Sequence, residues 1–147
     1  MRRFQFRLQS VLELREVARN QCRAQLAESF AAARDLDARQ QSLDRELLEF
    51  VAMRQSGQTG LLDVSHLGRV QRYESALRGD LQALLAQRRS LEERIEHERQ
   101  SLVDADRQVR VIERLRDRQL ARHQQQTAAA AARELDDLAR SSAAIDN

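Results

Sequence analysis

From Leu67 to Ile112 the apolar residues step by three and four: Leu67, Val70, Leu77, Leu81, Leu84, Leu91, Ile95, Leu102, Ala105, Val109 and Ile112. This seven-residue repeat is interrupted only at Glu74, Arg88 and Glu98. A stripe so narrow is not the face of a globular helix, which is apolar over about 100° or more. It is a seam, and a seam needs a partner helix. The pattern predicts a long helix over about 65–140. Past Ile112 the seam turns polar (Arg116, Gln119, His123, Gln126) and runs into five alanines, Ala128 to Ala132.

A weaker seam precedes it: Leu8, Val11, Arg15, Ala18, Cys22, Leu26, Phe30 or Ser29, Ala33, Leu36, Gln40, Leu43, Leu47 and Phe50. It predicts a first helix over about 4–54, with a slip in the count between Cys22 and Ala33 that would alter the supercoil locally. Between the seams, about 55–63, lie Gly57 and Gly60, which break a chain otherwise without breakers. Gly57 suits a left-handed residue past the helix end, and Asp63 or Ser65 offers the next N-cap. Gly68 and Gly79 fall inside helix two, either tolerated there or thinning it where something docks.

Folding the second seam back on the first predicts an all-α protein, a long antiparallel two-helix coiled-coil hairpin forming one domain over 1–147. At equal rise per residue, Phe4 comes level with about Leu115. Residues from about Arg116 onward then form a C-terminal single-helix overhang, and Leu115, Leu120, Leu135 and Leu138, exposed there, mark a docking end.

Composition supports an extended helical molecule: Ala, Glu, Leu, Arg and Gln dominate, aromatics are 3%, and Pro and Trp are absent. All 25 basic residues are arginine, which suits phosphate or carboxylate recognition and equally suits a GC-rich coding sequence. The net charge is only +2, with acids interspersed among the arginines. That pattern, and the lack of aromatics interleaved with Arg107 to Arg122, argue against nucleic-acid binding. Cys22 is the only cysteine and reads as a small seam residue. No apolar run is long enough to span a bilayer, and Met1 to Leu12 lacks a signal-peptide core. His66, His97 and His123 are too far apart along a rod to share a metal. No phosphate loop, nucleophile elbow or zinc spacing occurs, so neither an enzyme nor a cofactor is expected.

The ends of the chain carry a resemblance. Residues 4–15, Phe-Gln-Phe-Arg-Leu-Gln-Ser-Val-Leu-Glu-Leu-Arg, resemble the N-terminal signature F-x-F-R-L-x-x-V-L-x-L-R/K of the flagellar FliJ family. Residues 112–119, Ile-Glu-Arg-Leu-Arg-Asp-Arg-Gln, and 134–139, Glu-Leu-Asp-Asp-Leu-Ala, resemble two later family segments, with Asp137 where glutamate is usual. The resemblance implies a cytoplasmic, stalk-like coiled coil of the flagellar type III export apparatus, at the inner face of the membrane. It implies binding to the hexameric export ATPase at its central pore, to the cytoplasmic domain of the export gate, and to export chaperones that it recycles. Arg2, Arg3, Phe4, Phe6, Arg7, Arg116, Arg118, Leu120 and Arg122 would then touch the ATPase. Phe50, Met53, Tyr73, Leu77 and Leu84, near the turn, would reach the gate. A chain of this kind is expected to be monomeric in isolation. A self-associating scaffold, or the equivalent stalk of a virulence-type secretion system, are the alternatives.

Overall fold

The computed structural model describes residues 3–57 and 64–145, with side chains described through Ser141. The fold is all-α: helix α1 covers Gln9–Ser56 and helix α2 covers Val64–Ile145. There is no strand among the described residues. Strong helix formers without a single proline make 82 unbroken residues of α2 possible.

Helix α1 starts at Gln9, later than the expected position near 4. The Gln9 amide donates to the Phe6 carbonyl at 3.2 Å and the Leu12 amide to the Leu8 carbonyl at 3.0 Å, so the first turn closes on a non-helical lead-in. At the other end the Gly57 amide still donates to the Met53 carbonyl at 3.0 Å. Gly57 has no positive φ, so the expected left-handed residue is not there: the chain keeps helical bonding through it. Helix α2 begins at Val64, which puts Ser65 inside the first turn, past the N-cap position. Gly60 and Asp63 lie outside the described residues.

The chain divides into two compact units, residues 22–101 and residues 1–21 with 102–147. In the 22–101 unit the two helix segments pack antiparallel, since Asp37 meets Arg88 while Arg54 meets Glu74. Cys22, Leu26, Ser29, Ala33, Leu36, Gln40, Leu43, Leu47 and Phe50 are all buried or half-buried. Their spacing is an uninterrupted three-four count. The expected slip does not occur, because Ser29 (2% exposed) takes the seam position and Phe30 (38% exposed) lies outside it. The Arg99 guanidinium sits 5.4 Å above the Phe30 ring and covers it.

The other unit has Leu12 and Val109 at its centre, 1% and 0% exposed. Here too the seam differs from expectation. Leu12 is buried and Val11 is 38% exposed. Counting back from Cys22 by three and four lands on Arg19, Arg15 and Leu12. Choosing the apolar neighbours Ala18 and Val11 instead puts two steps of four side by side at Cys22, which with Phe30 in place of Ser29 created the apparent slip. Arg15 donates to Gln108 at 2.7 Å and Arg19 lies 3.8 Å from Asp106, again an antiparallel pairing.

The three polar interruptions of the α2 seam are filled with charge. Glu74, 6% exposed, is held between Arg54 and Arg78. Arg88 bonds Asp37 at 2.8 Å and lies 3.1 Å from Glu92, with its Nη1 off hydrogen-bond angle. Glu98 accepts from Arg94 at 2.8 Å. Ions taken from water in this way add little net stability and cost much if one partner is lost. The holding energy comes from the apolar positions, at about 1.5–3 kcal/mol per fully buried side chain.

Candidate docking surfaces

In the unit formed by 1–21 and 102–147, residues 3–6 run as non-helical chain ahead of α1 and half-bury Phe4 and Phe6. The Phe4 ring meets His123 at 5.7 Å between centroids, tilted by 42°. This moves the start of the overhang. Phe4 reaches His123, not Leu115, because its segment is non-helical and so is not held to the rise of about 1.5 Å per residue on which the expected register rested. Arg116 is therefore half-buried in the paired stretch, 3.6 Å from Asp117, and does not project beyond it. Arg3, Arg7, Arg118 and Arg122 are exposed, and Leu120 is at the edge of exposure. Arg2 lies outside the described residues. The sequence placed His123 on the seam but gave no sign that Phe4 would reach it.

In the 22–101 unit, Phe50 and Tyr73 pack ring on ring, centroids 4.9 Å apart at 57°. The Tyr73 hydroxyl donates to the Glu46 carboxylate. That bond first, then burial, then the Glu46 charge raise the phenol pKa above its ordinary value. Beside the rings is a cleft of about 250 Å³ lined by Phe50, Met53, Gly57, His66, Leu67 and Val70. Arg54 also lines it, Met53 is exposed at its margin, and Tyr73 is exposed beside Phe50. Phe50, Met53 and Tyr73 thus come together. Leu77 is buried in the seam, and Leu84 lines a separate open groove with Arg39 and Leu43. Glu46, which orients Tyr73, gave no sequence signal, because a lone glutamate on a helix flank looks like any solvated charge.

The Glu98 carboxylate is held below the usual range, by the Ser29 hydroxyl first and Arg94 second, with burial opposing. At strict geometry neither Ser29 Oγ nor Glu98 Oε2 has a hydrogen-bond partner. The hydroxyl stands near the carboxylate without closing the bond, and a hydroxyl rotor can close it. No cluster of three or more His, Cys, Asp or Glu side chains that could hold a metal ion occurs among the described residues.

A family model described as flagellar FliJ protein matches residues 4–145. The chain belongs to the FliJ family. No curated protein and no solved structure matches it. Membership makes the chain a component of the flagellar protein-export apparatus, serving flagellum biogenesis. The FliJ family is a structural part of that apparatus and not a known enzyme. Among the described residues no helix is long and apolar enough to cross a membrane.

Proposed function

We propose that this FliJ-family chain is a non-enzymatic, cytoplasmic coupling element between the export ATPase and the export gate. The observation that carries the reading is the meeting of Phe4 with His123. It joins the N-terminal signature to the end of the arginine-rich stretch of α2, two segments more than a hundred residues apart, in one unit. Arg3, Phe4, Phe6, Arg7, Arg116, Arg118, Leu120 and Arg122, with Arg2 preceding them, supply guanidinium forks and an apolar anchor for the inner wall of the hexameric ATPase ring. Phe50, Met53 and Tyr73, with Leu84 in a separate groove of the same helix pair, supply the surface for the cytoplasmic domain of the gate protein at the inner membrane face, and Leu77, buried in the seam, supports that surface from within. Export chaperones released at the gate are recycled on the same chain.

The mechanism is mechanical. A stiff helix pair touching subunits in different nucleotide states favours one state over another, and only that difference in contact energy does work. ATP hydrolysis by the purified export ATPase tests it. The chain is expected to stimulate turnover several-fold, and Arg118→Glu with Arg122→Glu is expected to remove the stimulation while leaving helicity unchanged. Undiminished stimulation by that variant would count against the arginine surface. Loss of gate binding, with stimulation intact, is expected for Met53→Asp.

A further inference from the structure

The 1–21/102–147 unit has two unpartnered surfaces that complement each other. The first is a groove along one edge of the helix pair. In an antiparallel pair the same edge of each helix meets its like. Val11, just before seam residue Leu12, and Leu115, just before seam residue Arg116, therefore flank one groove. Leu14 and Val111 extend it, three and four residues away on the same stripes. All four are exposed, Leu14 by 69% and Val111 by 64%. Arg114 and Arg118 rim it, exposed and without an ion-pair partner among the described residues. Within residues 9–21 and 102–127 of this unit the acids fall on the opposite edge (Glu13, Glu16, Asp106, Glu113 and Asp117), apart from Asp104, which pairs with Arg107.

The second surface is the end of α2. Past Thr127 the apolar residues leave the seam line and widen into a face made by Ala128, Ala131, Ala132, Leu135 and Leu138. Continuing the seam would land on Arg133, Asp137 and Arg140, so this face is not shaped for α1. Leu135 and Leu138 are 67% and 65% exposed. Glu134 borders the face on one side and Asp136 on the other. It is an acid-edged amphipathic helix, and the groove is an arginine-rimmed apolar slot. Because α2 is unbroken from Val64 to Ile145, the tail cannot turn back into the groove of its own chain.

We infer that the tail of one copy docks in the groove of a second copy. Leu135 and Leu138 lie against Val11, Val111 and Leu115, while Glu134 and Asp136 face Arg114 and Arg118. The buried patch is the width of one helix and about 15 Å long, in the size class of weak contacts. Free chains are therefore monomeric when dilute and pair with a Kd between about 1 μM and 1 mM. Arg118 also belongs to the proposed ATPase surface, so self-pairing and ring docking exclude one another. The test below contains no ATPase, so each reading can fail without the other.

Sedimentation velocity of the full chain, from about 1 μM to about 1 mM, is expected to show a reversible monomer–dimer shift that weakens with salt. The tail variant Leu135→Asp/Leu138→Asp and the groove variant Val111→Asp/Leu115→Asp are each expected to stay monomeric, with helicity checked by circular dichroism. Mixing the two leaves one intact tail and one intact groove, and a one-to-one heterodimer is expected. Arg118→Glu is expected to weaken pairing about tenfold or more, as for a desolvated interfacial charge pair, and Asp136→Arg to restore it. A wild type that is monomeric throughout overturns the proposal, as does a mixture that fails to pair. A groove variant that still dimerises would mean tail-on-tail contact and overturns it too. So does binding of phosphatidylglycerol vesicles by a chain that never self-associates.

Discussion

Glu98 occupies a seam position where a coiled coil ordinarily puts leucine. Its carboxylate is kept below the usual range by Ser29 and Arg94. A folded-state pKa lowered below the unfolded one gives stability that is present above the unfolded value, about 4.3, and lost as pH falls through the folded value. Thermal melts across acid pH should therefore differ between wild type and Glu98→Gln. The variant is expected to be less stable at neutral pH, with the gap closing below about pH 4.3. A constant gap would mean that Glu98 acts by packing alone. The residue-scale errors of the sequence reading share this origin. Ser29 and Arg19 hold seam positions beside charged neighbours, Ser29 next to Glu98 and Arg19 3.8 Å from Asp106, whereas a hydrophobicity count admits Phe30 in place of Ser29 and takes Ala18 in place of Arg19.

The two helices were not equally legible. The α2 seam was readable nearly residue by residue, because large aliphatic side chains repeat every seven along it from Leu67 to Ile112. In α1 a second stripe, through Val11 and Ala18, competes with the true one, and only the facing residues Gln108 and Asp106 decide between them. The start of α1 was missed for a different reason. Phe4 and Phe6 fit a helical pattern, but they lie on a non-helical lead-in, with Phe4 against His123. Within α2, Gly79 was open to two readings. A methyl group added there meets nothing within 4 Å. Gly79→Ala is expected to raise stability by about 1 kcal/mol, measured as a higher melting temperature. If gate binding fell in the same variant, the missing side chain would be serving a contact.

At the scale of the molecule, each compact unit has its own buried residues: Leu12 and Val109 in one, Ala33, Leu77 and Ile95 in the other. Neither has the many-sided core that enforces all-or-none melting. Leu12→Ala is expected to cost about 2–5 kcal/mol. Hydrogen exchange should show faster opening concentrated in residues 9–21 and 102–127, with 22–56 and 64–101 less affected. Uniform acceleration along both helices would contradict that. The docking surfaces were half legible. Their residues could be nominated from the sequence, but which of them share a patch depends on how far an extended segment reaches and which edge of each helix lies outward.

The uninterrupted count through α1 also restricts how such a protein can change length. One residue inserted between Ser29 and Ala33 would swing Leu36 and Leu43 by about 100°, out of contact and into water. Only additions of whole heptads, matched on both helices, keep every pairing. Relatives of different length should therefore differ in quanta of about seven residues in each helix, about fourteen in the chain, like a ladder cut only between rungs.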